Sequence, residues 1–177
     1  TKRLGMETDM NTGTGWPFGG PEVTVRDAAS KLIIREYQVN GKSVFSEKII
    51  PEDKRQQKDA VLQRLMAYCG KRVLDLTKLV DSEGNINWKA PKGDWRLIAA
   101  FNGKTFQQVK RAAPGGEGLV MDHFSASAVD KYLAHFEKAF STSGSPYPHA
   151  FFNDSYEVYG ADWTEDFFEQ FERRRGY

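Results

Sequence analysis

The chain has almost no cysteine, no long hydrophobic run and no surplus of one charge, and each shortage removes a class of protein. A single Cys69 in 177 residues excludes an intrachain disulfide framework and a cysteine-based zinc site. Lys plus Arg is 25 against 24 for Asp plus Glu, so no broad field of one sign exists to draw nucleic acid or an anionic membrane. No apolar run approaches the roughly 20 residues of a membrane span. Thr1-Lys2-Arg3-Leu4-Gly5 is followed by no apolar core of a signal peptide, and no initiator Met precedes it. The chain is therefore expected to be cut from something longer. No repeat at a period of about 20 to 50 residues is visible. What the chain does hold is aromatic: 12 Phe, 7 Tyr and 4 Trp, a content at odds with wholesale disorder.

Three zones differ in texture. The first ends in Gly13-Thr14-Gly15-Trp16-Pro17-Phe18-Gly19-Gly20-Pro21, where four glycines and two prolines read as a loop. A phosphate-binding loop needs a helix after its glycines, and Trp16-Pro17 begins none. Trp16 and Phe18 on a stiff loop suit stacking on a sugar ring as well as packing in a core. The second zone, to Arg111, reads as short strands and turns: 23–25, 32–39, 44–45, 73–76, 86–88, 95–101 and 105–109. Asn40-Gly41 is a hairpin signal, and Pro91-Lys92-Gly93-Asp94 and Asn102-Gly103-Lys104 read as turns. Apolar residues at 61, 62, 65, 66 and 69 fit a helix better than alternation.

The third zone alternates strand and helix. Gly118 to Met121 is a strand ending at Asp122-His123. Ser125 caps a helix that carries Ala128, Val129, Tyr132, Leu133, Phe136 and Phe140. Ala150-Phe151-Phe152 reads as a buried strand ending at Asn153-Asp154-Ser155-Tyr156-Glu157. Thr164 then caps a helix with Phe167, Phe168 and Phe171, stopped by Arg173-Arg174-Arg175-Gly176. Sites collect at the C-terminal ends of strands in α/β folds, and paired carboxylates there can act as acid and base. Tyr156 and Trp163 add flat apolar faces. The bland reading, in which Asp154 or Ser155 caps a turn and Trp163 is core, stays open beside the functional one. The three histidines make no metal motif, and only His123 lies at a strand tip. Oxygen donors predominate at these tips, which favours a hard cation over zinc.

Three blocks together resemble glycoside hydrolase family 106, the α-L-rhamnosidases: 13–21, 113–123, and 152–157 with Asp162-Trp163-Thr164 and 173–177. Asp75-Leu76-Thr77 through Trp88 and Trp95 is similar to the β-rich insertion of those enzymes. The resemblance implies a (β/α)8 barrel, inverting hydrolysis of rhamnosides, a glutamate pair and a calcium ion near the substrate. It implies Glu157 as catalytic acid or base and Glu22 as its partner. It implies a substrate contact for Asp154 and metal contacts for Asp122, His123 and Glu117, while Trp16, Phe18, Tyr156 and Trp163 are substrate candidates by their flat apolar faces. It also implies a strand, not a helix, over 60–69.

The expected fold class is α+β, with partial (β/α)8-barrel βα units flanking an inserted all-β, sandwich-like domain. The expected division is 1–30 and 112–177 barrel-derived, with 31–111 inserted. A full barrel takes about 250 residues, so the flanks supply about three of its strands. The expected partners are a carbohydrate substrate, the remainder of a longer periplasmic or secreted enzyme and a second copy of this chain, with no nucleic acid and no membrane. The rival expectation is a carbohydrate-binding or structural β-domain without chemistry of its own.

Overall fold

The computed structural model describes residues 2–153 and 156–177. The fold is mixed and strand-rich. In chain order its strands are β1 (Asp9–Met10), β2 (Gly19–Gly20), β3 (Ser30–Asn40), β4 (Val44–Phe45), β5 (Val61–Cys69), β6 (Arg72–Asp75), β7 (Trp88–Lys89), β8 (Asp94–Lys104), β9 (Leu119–Val120) and β10 (Ala150–Phe151). Helix α1 (Ala126–Ser143) follows β9, and α2 (Phe167–Arg175) follows β10. The chain divides into two compact units, Lys31–Lys104 and a discontinuous one made of Thr1–Ser30 and Thr105–Tyr177.

In the Lys31–Lys104 unit, one sheet runs in the order β3-β8-β5-β6, and β4 pairs antiparallel with β7. The helical spacing at 60–69 does not prevail. β5 is extended because Leu65 and Ala67 point to one face and are fully buried, opposite Ala99 and Leu97 of β8. Ala67 falls outside the helical set, while Met66 and Tyr68 put apolar surface on the opposite face and blur the alternation. The Asn40-Gly41 signal marks a turn, but β4 leaves β3 to join β7. Phe45 then meets Tyr37 edge-on at 5.4 Å, and Trp88 of β7 meets Trp95 of β8 at 5.5 Å, so ribbon and sheet share one core.

The turn expected at Asn102-Gly103-Lys104 is instead the end of β8. Asn102 stands opposite Val61, and Ile33 fills the space that a Cβ on Gly103 would need. Buried Gln56 clamps Lys104 at both backbone groups: its Nε2 donates to Lys104 O (2.8 Å) and its Oε1 accepts from Lys104 N (2.9 Å). Without such pairing a buried backbone amide would be costly.

In the discontinuous unit β2 pairs antiparallel with β9, and β1 pairs parallel with β10. The Gly-rich stretch is therefore not all loop. Gly19 and Gly20 make a buried strand, and Gly20 and Gly118 (φ +136° and +159°) lie so close that a Cβ on Gly118 would strike the Gly20 carbonyl. Trp16–Pro17 is a cis peptide. Residues 105–111 run with this unit: Val120 N donates to Gln107 O (3.0 Å), and Val109 N to Gly118 O (2.9 Å). Thr105 N donates to Ala29 O at 2.9 Å, so the two points where the chain leaves and re-enters the unit are adjacent.

Helix α1 begins where expected. Ser125 Oγ accepts from Ala128 N (3.2 Å), and Gly144 closes the helix in the left-handed conformation. It buries Ala128 and Tyr132, and the Tyr132 hydroxyl donates to Thr12 O at 2.7 Å. Thr164 is not the cap of α2. Asp166 holds that position, and buried Thr164 receives Phe167 N at its carbonyl (3.2 Å). The strand at Ala150–Phe151 is exposed rather than buried, since its pairing with β1 covers one edge and leaves Phe151 and Phe152 half open to solvent.

Candidate active site

The C-terminal end of β9 gathers the first group of site residues. Asp122 is buried, and its Oδ1 accepts from Phe124 N (2.9 Å), which turns the chain into α1. His123 Nδ1 lies 2.9 Å from Met121 O. In the neutral ring that nitrogen carries the proton and donates it, leaving Nε2 as an acceptor. Burial holds the imidazole below its usual value, against the opposing pull of the Met121 carbonyl and the Asp122 charge. Tyr156 packs edge-on against His123 at 5.1 Å and tilted on Phe124 at 5.6 Å. Burial and the Asp122 carboxylate raise its phenol pKa, so it is a proton donor at neutral pH.

Glu157, next to Tyr156, is exposed. Its segment is nonetheless anchored. Val158 is buried with Ala29, Val109 and Val120, and Gln107 bonds to the backbone on either side of it. The segment that carries this exposed carboxylate is thus fixed at its backbone, next in sequence to the Tyr156 phenol.

The other expected site residues are placed elsewhere. Glu22 is exposed, two residues beyond Gly20, which stands opposite Leu119. Asp122 lies past the other end of β9, so the antiparallel pairing sets Glu22 at the opposite end of this pair from Asp122 and His123. Phe18 is in the core with Val23, Ala28, Met121 and Tyr132, and half-covered Trp16 packs against that cluster with its ring 5.0 Å from Phe18. Neither ring stands out as an open platform. The Trp16 indole nitrogen is buried without a partner among the described residues. Trp163 is buried and stacked on Phe167 at 4.1 Å; it lines a cleft of about 540 Å³ with Phe124, Thr164, Arg173 and Arg174. Asp154 lies outside the described residues.

No three His, Cys, Asp or Glu side chains converge as a metal site among the described residues. Glu117 therefore does not join Asp122 and His123 in one, and the Asp122 oxygen is engaged in the turn. A calcium ion, which the family resemblance implies, would need oxygen donors beyond these three side chains. Sequence reasoning missed Gln107, Phe124 and the arginines of the cleft. Gln107 carries no local signal, because its meaning lies in a contact 50 residues away.

Comparison with known proteins covers most of the chain. A Formosa agariphila protein named as a β-glucuronidase, an activity its name leaves unproven, is 26% identical across 99% of this chain. The chain spans 19% of that relative's length. A rhamnosidase structure from Novosphingobium sp. PP1Y superposes with a TM-score of 0.80 over 99% of the chain and 34% of its own length, at 16% identity, and so shares the fold. The family model described as alpha-L-rhamnosidase, glycoside hydrolase 106, matches residues 49–177, and the chain belongs to that family.

Proposed function

We propose that this chain is part of the catalytic region of a glycoside hydrolase that cleaves terminal α-L-rhamnosides of plant polysaccharide. The observation that carries the reading is the family match over 49–177, which takes in β9, α1, β10 and the anchored segment of Glu157. In this reading the βα stretches β9–α1 and β10–α2 derive from a (β/α)8 barrel, and the β-rich unit is inserted between its parts. The parallel β1–β10 pair supports such an origin.

Glu157 serves as general acid or base. In an inverting reaction its partner carboxylate would stand about 6.5 to 9.5 Å away, leaving room for a water. Glu22 is the proposed partner, although it lies outside the matched residues. Tyr156 and Trp163 contact the sugar. The whole enzyme works in the periplasm or outside the cell, where polysaccharide is met, and the isolated chain is inactive. A second substrate is favoured by one relative's name, a β-glucuronide. The test is release of a chromophore from an aryl α-L-rhamnoside and from an aryl β-glucuronide by the intact enzyme that contains this chain. Turnover of the rhamnoside alone is expected. An enzyme inert on every deoxyhexoside sinks the substrate assignment, and turnover of the glucuronide replaces it.

A further inference from the structure

Gln107 sits on the segment that runs beside β9, with its backbone oxygen bonded to Val120 N at 3.0 Å. Its side chain reaches the other way. Nε2 donates to Glu157 O (2.9 Å), and Oε1 accepts from Tyr159 N (2.7 Å). One planar amide thus uses its donor and its acceptor on a single tripeptide, and only one orientation of the amide satisfies both bonds. Val158, between the two contacts, is buried in the core, and Lys110 Nζ stands 4.9 Å from the centre of the Tyr159 ring. The same device closes β8, where Gln56 brackets Lys104.

We infer that Gln107 is a positioning residue for Glu157: it fixes the backbone that carries the carboxylate and ties it to β9, whose end holds Asp122 and His123. The inference rests on the reading of Glu157 as acid or base. Its chemical reason is the sensitivity of turnover to placement, since an error of about 1 Å can cost about a hundredfold. No simple side chain other than glutamine offers a donor and an acceptor at this length and neutral charge. Glutamate does so only when protonated.

The experiment uses the intact enzyme. Gln107→Met keeps the length and removes both bonds. Its kcat should fall about tenfold to a hundredfold with KM changed less than about threefold, the pattern of a group acting on the reacting centre. Combined with Glu157→Gln, the same change should cost less than about threefold more, because a displaced carboxylate no longer matters once it is gone.

Gln107→Glu supplies a readout that general destabilisation does not move. At neutral pH its carboxylate faces the Glu157 carbonyl; protonated, it donates to that carbonyl and accepts from Tyr159 N as glutamine does. The ratio of variant to wild-type kcat should rise at least about twofold from pH 7 to pH 5, as the carboxyl titrates. This arm decides the matter where Gln107→Met fails to fold. A Gln107→Met enzyme within twofold of wild type, or a flat ratio in Gln107→Glu, overturns the inference. If Glu157→Gln is inactive while the Gln107 variants are normal, positioning alone falls. If Glu157→Gln turns over normally, the catalytic reading fails and takes the positioning role with it.

Discussion

Glu157 and His123 show two opposite ways in which a titratable side chain is held. Glu157 is exposed and its backbone is held, so its charge costs no burial while its place is fixed. Glu157→Gln in the intact enzyme should lower kcat at least about a hundredfold while leaving folding and sugar affinity nearly unchanged. Near wild-type turnover would remove it from the catalytic list. His123 is instead half-buried, and that desolvation lowers its pKa. The unfolded chain takes up that proton near about pH 6.5 and the folded chain only at lower pH. Stability is then fully present above about pH 6.5 and is lost as pH falls through the folded value. Urea unfolding of wild type and His123→Asn at pH 7.5 and pH 5 should show the larger acid loss in wild type. An equal loss in both would refute the burial argument. Both residues were legible in the sequence as polar groups past a strand. How far each is covered was not, because the partial cover of His123 comes from Tyr156 and Asp122 is tied to the Asp27 backbone, both elsewhere in the chain.

The elements divide by how local their causes are. Helix α1 follows from its own sequence: a serine cap, a 3.6-residue apolar period and a terminal glycine. Ser125→Ala should therefore lower stability by about 1 kcal/mol, read as a shift in the urea midpoint of the folded chain. A midpoint unchanged within error would mean the Ala128 amide finds another acceptor. The strands are less local. β5 carries a helical apolar spacing and is extended only because β8 offers a matching face, and β4 follows a hairpin signal yet pairs with β7. The cap of α2 was misplaced by two residues, since Thr164 and Asp166 are both ordinary caps and the choice depends on burial of Thr164 beside Trp163. Long-range pairing decides each of these cases, and no window of sequence contains it.

At the scale of the molecule, apolar surface is distributed unevenly. Leu133, Phe151, Phe152, Phe167 and Phe171 are all exposed in the discontinuous unit, more than a soluble surface commonly leaves open. The isolated chain should self-associate through these faces, seen as a concentration-dependent rise in sedimentation coefficient. A strictly monomeric profile with both helices protected from hydrogen exchange would rule this out. The Lys31–Lys104 unit has a complete core of its own around Leu65, Trp95, Leu97 and Phe101. Excised, it should unfold cooperatively and keep the near-ultraviolet signal of the Trp88–Trp95 pair; a broad, non-cooperative melt would contradict that. The chain leaves the surrounding unit after Ser30 and returns at Thr105, whose N donates to Ala29 O. A span of one hydrogen bond is the shortest gap a detour can have. For a flexible detour, doubling its length raises the closure cost by about 0.6 kcal/mol. Such a junction behaves as a graft point. A foreign domain with adjacent termini, or a two-residue linker, should be accepted there with the Ala29–Thr105 contact intact.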